Sequence, residues 1–368
     1  MSYIDKVGDL SQMSPEERAQ AAVALLQGDL NTETLMAMAQ GCRNDKPLET
    51  FVPLFLTNTC DADCAMCGMR KQNDKLTRKF STNLDIDAQM DIIHNTFGVS
   101  RIGFLTGEYL EKTSRLQNCF YVGWALDRAI EKGFEQVIFN IGSMTDDEIE
   151  VLDGWTHPHK DKVMMCVFQE TYDKRKYDKV MGSDVTRSPK ADFERRLDTC
   201  GKWVDLGYQL ANIGFLVGLH NKVETEMYGL IKHCGELLAK GATVYLSLPR
   251  LRPASGASNK TKVNDEQYLR IIAVASIMSS DTGGVIITTR EEQAFQHRVA
   301  PLISVFSPGS PDVSPYHNKK RKQVNDIATS QFQIPEQRQP DEVLRDLSST
   351  FGEIAFYTPP VSEDIANV

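Results

Sequence analysis

The stretch TNTCDADCAMCGMRK, residues 57–71, holds three of the chain's eight cysteines, spaced C-x3-C-x2-C at Cys60, Cys64 and Cys67. Four thiolates close a tetrahedral zinc site or fill all corners of a cubane cluster. Three thiolates leave one metal position open to a small molecule. A zinc site is the competing reading. It lacks ligands here, because no histidine lies close by and no fourth cysteine follows within 50 residues. The other cysteines, Cys42, Cys119, Cys166, Cys200 and Cys234, share no ligand spacing and read as small buried hydrophobes. No cysteine follows Cys234, so no second cluster is expected towards the C-terminus.

Composition sets the outer limits. The 368 residues are 41% hydrophobic and 25% charged, enough for a large core without disulfide staples. A net charge of −9 argues against general nucleic-acid binding, which needs phosphate neutralisation. No apolar run approaches the roughly 18 residues of a membrane span. The N-terminus MSYIDKVGDLSQMSPEERAQ is acidic and polar, unlike a secretory signal. The expected compartment is the cytoplasm, where thiols stay reduced and serve as ligands.

Outward from the cysteines, eight short apolar runs recur: 51–57, 101–107, 136–142, 162–170, 209–219, 243–251, 284–290 and 301–307. Amphipathic helical stretches separate most of them. Strands alternating with helices predict a parallel sheet. Eight repeats over this length predict an α/β fold of the (β/α)8 TIM-barrel class, with a doubly wound open sheet as the other candidate. Residues 1–50 read as a helical N-terminal extension, with Ser14 as N-cap, Pro15 at the first helical position and Glu16 and Glu17 in the first turn. The barrel is expected over 51–315, and 316–368 as a C-terminal loop and helix. The run NKKRKQ (318–323) reads as a solvated basic loop.

The C-x3-C-x2-C loop just after a first strand resembles the radical S-adenosylmethionine superfamily. That resemblance implies a 4Fe–4S cluster whose open iron holds the amino and carboxylate groups of S-adenosylmethionine. Met66 stands where the superfamily places an apolar residue against the adenine. Gly107 and Glu108, in TGEYL, resemble the superfamily's GGE motif, whose acid meets the cofactor ammonium. Arg196, in ADFERRLD, matches the arginine that pairs with the cofactor carboxylate. Its alternative is a helix-surface salt bridge. Glu170, in QETY, suits a ribose or sulfonium neighbour.

A barrel enzyme carries its chemistry at the C-terminal ends of its strands. Each run ends in polar or glycine-rich sequence: the cysteine loop, Glu108, Asn140 and Ser143, Gln169 and Glu170, His220, Arg250 and Arg252, Arg290, and Ser307. Arginine grips a carboxylate through two parallel hydrogen bonds, so Arg290 is the candidate for a substrate carboxylate and Ser307 for a second donor. The alternative for Arg290 is an ion pair with Glu108, Glu291 or Glu292. His220 carries no assignable role.

Together VFQETY, ADFERRLD, LVGLH, LSLPRLRP and TTRE resemble the radical SAM aromatic amino acid lyases. FVPLFLTNTCDADCAMCGMRK, GFLTGEY, FNIGSM, PKADFERR and ISVFSPGSPDV lean towards the tryptophan lyases of thiopeptide biosynthesis, which make 3-methyl-2-indolic acid. The resemblance implies hydrogen removal from the substrate's amino group and fragmentation at Cα. It implies a small amino acid as substrate and an electron donor such as flavodoxin or ferredoxin. Loss of the side chain from tyrosine, giving a cresol-type product and dehydroglycine, is the alternative. One residue departs from the tryptophan pattern. Phe55, five positions before Cys60, stands where a substrate-facing tyrosine is expected.

Overall fold

The computed structural model describes residues 9–43, 46–257, 263–318 and 328–360. The basic run 318–323 lies, beyond Asn318, outside the described residues. Ten strands form one parallel sheet: β1 (Leu48–Thr50), β2 (Val52–Phe55), β3 (Arg101–Leu105), β4 (Gln136–Asn140), β5 (Val163–Glu170), β6 (Leu210–Phe215), β7 (Thr243–Ser247), β8 (Gly284–Thr288), β9 (Val305–Ser307) and β10 (Ile354–Ala355). The strands are short, apolar and nearly all buried, as expected of a parallel sheet covered on both faces.

The sheet closes on itself. β1 pairs with β9, and β2 pairs with β3. Only Phe51 separates β1 from β2, so one chain segment joins both ends of the ring. Counting that segment once, eight strands make the barrel, and β10 is an added strand that pairs with β1. The expected first strand at 51–57 therefore begins at Leu48, and the expected boundary at 50/51 falls inside it. The short β10 lacked a sequence signal, because two residues carry no period.

Side chains alternate in and out along each strand. The inward set builds the interior in layers. At the bottom Arg101, fully buried, donates to Glu49 at 2.8 Å and lies against the rings of Tyr245 and Phe356. Above it Phe51, Ile138, Met164, Leu210, Ile286 and Val305 pack as an apolar plug. Gly103 fits closely at this level, since a Cβ there would sit 3.2 Å from the Phe51 ring. Above the plug the inward residues become polar: Asn140, Cys166, Asn212, Ser247, Thr288 and Ser307 line an open cavity.

The helices cover the outside. The N-terminal pair, α1 (Pro15–Gln27) and α2 (Thr32–Cys42), packs on the barrel's flank against Val223–Ala239 and Asp265–Met278. Ser14 and Glu17 cap α1 reciprocally, as its sequence predicts. Arg18 is buried against Asp281 at 2.6 Å. Arg270 donates to the carbonyls of Leu25, Leu26, Gly28 and Leu30, satisfying the C-terminal end of α1. Two short helices, Lys174–Met181 and Gln293–Val299, and a π-turn at Ile92–Thr96 were not anticipated from sequence. Among the described residues no helix is long and apolar enough to cross a membrane.

Removing Glu49 strands the buried Arg101 guanidinium. Glu49→Ala is expected to lower the unfolding free energy by about 3 kcal/mol, read from the denaturant midpoint. The double variant Glu49→Ala/Arg101→Met should recover part of that loss.

Candidate active site

The cysteine loop leaves β2 at the C-terminal mouth of the barrel and is clamped from several sides. Asn58 accepts from the amide of Lys79 at 2.6 Å and donates to the carbonyls of Thr77 and Thr329. Arg78 donates to the carbonyls of Asn58, Met69 and Arg70. The amide of Ala65 donates to Val180 O at 2.9 Å, and that of Gly68 to Gln331 O at 2.9 Å. The end of β3 grips the first cysteine. The Glu108 amide donates to Cys60 Sγ at 3.4 Å and the Asp61 amide to Glu108 O at 2.8 Å. Gly107 permits this approach, because a Cβ there would lie 2.0 Å from Thr59 O.

All three thiols are free. Burial pushes the Cys60 thiol up to about 11, partly offset by the Glu108 amide. Burial raises Cys64 further, against the pull of Lys190. Thiols placed this way stay protonated unless a cation takes the proton's place. Among the described residues no three Cys, His, Asp or Glu side chains are arranged to hold a single metal ion.

Beside the thiols lies a set of buried charges. Arg196, 3% exposed, donates to Glu108 Oε1 at 2.8 Å and to Phe168 O at 2.6 Å. It is therefore no surface salt bridge. Lys190 donates to Glu170 Oε1 at 2.8 Å and sits 3.9 Å from Glu108 Oε1. Burial pushes the Glu170 carboxyl up, but Lys190 and Arg196 outweigh it and hold it below its usual value. Two backbone features aim these acids. The register of β5 and β6 slips between Phe168 and Glu170, and Glu170 takes a left-handed φ of 66°. Gly142, at φ 87°, makes room for Glu108, whose Cδ would lie 2.0 Å from a Cβ there.

Across the mouth, Arg290 donates to Arg250 O at 3.3 Å and sits over Phe332, with its guanidinium carbon 3.5 Å from the ring centroid. Burial pulls its guanidinium down to about 10, with Glu170 acting against that, so it stays charged at neutral pH. Glu291, the acid next to it in sequence, is taken by Arg250 and Arg252. Among the described residues no carboxylate forms an ion pair with Arg290. Ser307, 1% exposed, has a buried Oγ with no hydrogen-bond partner among the described residues, and Thr288 Oγ1 shares that condition.

Phe55, Cys60, Cys64, Met66, Cys67, Gly107, Glu108, Glu170, Arg196, Arg290 and Ser307 all line one cavity above the apolar plug. His220 does not. It bonds Glu226 Oε1 at 2.9 Å, and Glu226 also accepts from Thr171 and from the amide of Tyr172, which is a structural network. Sequence reasoning missed Lys190, whose signal was present in SPKADFERR beside the arginine already singled out. It missed Asn212, a polar residue at an inward position of an apolar strand. It also missed Gln331 and Phe332, which arrive from the C-terminal segment with no local signal; Gln331 donates to Cys67 Sγ at 3.6 Å.

A closed parallel barrel with a three-cysteine loop and paired buried charges at its mouth defines a radical S-adenosylmethionine enzyme. Comparisons with known proteins agree. Residues 247–350 match the Biotin and Thiamin Synthesis associated domain. The 2-iminoacetate synthases of Salmonella typhimurium and Escherichia coli are each 27% identical, over 276 and 271 residues, spanning 71% of this chain and 67% of theirs. The FeFe-hydrogenase maturase HydG from Carboxydothermus hydrogenoformans superimposes with a TM-score of 0.79 at 25% identity, covering 96% of this chain and 79% of that one. Methylornithine synthase (PylB) has a TM-score of 0.73 at 16% identity, covers 96% of this chain and 97% of its own, and speaks to the fold alone. By these likenesses the chain is similar to the radical SAM aromatic amino acid lyases. It is a carbon–carbon lyase that uses a 4Fe–4S cluster and S-adenosylmethionine.

The residues present fit both groups. Three soft thiol donors on one clamped loop suit iron. Two acids and two cations in one buried set complement a molecule that carries an ammonium, a carboxylate and a sulfonium. Lys190→Met removes a main counter-charge of Glu170, so the buried carboxyl should protonate at higher pH. We expect cofactor affinity, measured by equilibrium dialysis, to fall about tenfold from pH 8 to pH 6 in this variant and to stay flat in the wild type, with iron content unchanged.

Proposed function

We propose that the chain takes L-tryptophan, removes a hydrogen atom from its amino group and breaks both the Cα–carboxyl and the Cα–Cβ bonds, the carboxyl fragment rejoining at indole C2 and the Cα–N unit leaving as a one-carbon imine, to give 3-methyl-2-indolic acid. The observation that carries this reading is Arg290, a half-buried cation with no carboxylate partner among the described residues, in the same cavity as the Ser307 hydroxyl, which also lacks a partner there. A substrate carboxylate would give Arg290 a counter-charge and the buried Ser307 hydroxyl an acceptor, and a buried donor without a partner costs about 1–3 kcal/mol. The quoted sequence motifs lend the preference for tryptophan.

When bound, the cluster and S-adenosylmethionine supply a 5′-deoxyadenosyl radical. The chain's own residues position and shield. Cys60, Cys64 and Cys67 hold the cluster. Glu108 meets the cofactor ammonium, Arg196 its carboxylate and Glu170 its ribose or sulfonium side, while Met66 packs on the adenine. Arg290 and Ser307 fix the substrate carboxylate, and through it the amino group. Phe55, 5% exposed on the cavity wall, covers the substrate without a hydroxyl. The apolar plug below and Phe332 and Ile334 above keep water away from the reacting atoms. A one-electron donor such as flavodoxin or ferredoxin completes the reaction system.

A second reading has its own support. The curated relatives are 2-iminoacetate synthases, and 2-iminoacetate is dehydroglycine. A tyrosine substrate that loses its side chain as a cresol-type product would give that compound. Anaerobic reconstitution, followed by reaction with dithionite, S-adenosylmethionine and either amino acid, separates the two. Formation of 3-methyl-2-indolic acid from tryptophan supports the first reading. Dehydroglycine and a cresol from tyrosine alone support the second. No 5′-deoxyadenosine above background with either defeats both. Arg290→Lys replaces a planar fork with a point charge, and should lower kcat/KM for the accepted substrate about 100-fold while leaving cluster content intact.

A further inference from the structure

We propose that Asn212 is a specificity-determining residue, whose amide reads a hydrogen-bonding heteroatom on the substrate's aromatic ring. The inference rests on the reading of the cavity as an aromatic amino acid site, and adds which ring chemistry it accepts.

Asn212 lies in the middle of β6, a strand whose six residues are all buried. It is 1% exposed and lines the cavity. Its Oδ1 is buried with no partner, and its side chain makes no hydrogen bond among the described residues. An amide in that state destabilises the folded chain, and an apolar residue of similar volume would not. At the inward position below it the same strand carries Leu210, which packs into the plug. The amide therefore marks a place where the cavity must meet a polar atom.

The barrel geometry says which atom. In the ring of eight strands β5 lies opposite β9, four steps away, and β6 is the next strand beyond β5. Register places Asn212 beside Cys166 of β5. Asn140 of β4 is already engaged, donating to Cys166 Sγ at 3.5 Å. An amino acid held by its carboxylate at Arg290 and Ser307 extends its side chain across the barrel towards β4, β5 and β6. The walls on the way, Phe55, Leu105 and Phe168, are apolar and suit a flat ring. Asn212 then faces the ring's far edge. An amide can accept from an indole N–H, and it can both accept from and donate to a phenol. A phenyl or thienyl ring leaves it unpaired, which is the arrangement that discriminates most strongly against an isostere.

The test compares wild type and Asn212→Leu with L-tryptophan and β-(3-benzothienyl)-L-alanine, which replaces the indole N–H by sulfur. We expect wild type to favour tryptophan by about 100-fold in kcat/KM, and Asn212→Leu to bring the ratio close to 1. If wild type accepts tyrosine instead, the pair becomes tyrosine and phenylalanine, with the same expectation. Asn212→Ala repeats the comparison should the leucine variant fold poorly. An unchanged ratio in a folded, iron-loaded variant overturns the inference and leaves the lyase reading standing. Wild-type protein that turns over none of the four amino acids overturns the lyase reading, and this inference with it.

Discussion

Glu108, Glu170, Lys190 and Arg196 must neutralise one another in a space that water barely reaches. Isolated buried charges are too costly to keep, so each acid here has a cation within hydrogen-bond reach. Much of the local backbone answers to that constraint. The β5 slip and the left-handed Glu170 turn one acid inward. Gly142 clears the space that the other acid occupies. The short helical turn at Pro189–Ala191 delivers Lys190, and the helix from Phe193 to Asp205 delivers Arg196. The same β3 end that carries Glu108 holds Cys60 through its amide, so the charge set and the cysteine loop are fixed by one segment.

The mouth of the barrel thereby divides. The side built by β3, β4 and β5 is charged and internally balanced. Among the described residues, the side built by β8 and β9 is left with Arg290, which no carboxylate pairs, and with unpartnered hydroxyls. Between them the floor is polar and its support is apolar. This is the layout expected when two ligands must sit side by side, one zwitterionic with its own complement and one bound chiefly by its carboxylate.

Legibility in the sequence followed range. The cysteine loop is a local motif, and its spacing carried its meaning. Short apolar runs and the polar residues after them marked the eight strands and placed Glu108, Glu170, Arg290 and Ser307 at the mouth. Arg196 was visible through its resemblance motif. What stayed hidden depends on contacts far apart in the chain. Closure at Phe51 needs two strand partners about 50 and 250 residues away. Lys190 becomes a site residue only once its turn is folded over Glu170. Phe332 and Gln331 come from a segment whose local pattern is that of a loop, and they take meaning only from the arginine and cysteine they cover.

Arg290 shows why such remote contacts matter. Sequence allowed it an ion pair with Glu108, Glu291 or Glu292, and any of these would have consumed its charge. Glu108 is held by Arg196, and Glu291 by Arg250 and Arg252. The Arg290 guanidinium is instead steadied by an aromatic face and a backbone carbonyl. A ring attracts a cation without supplying a counter-charge, and it covers one face of the guanidinium while its N–H edge stays open. Stacking therefore orients Arg290 and keeps its charge for a carboxylate, whereas a protein acid at the same place would have ended its use.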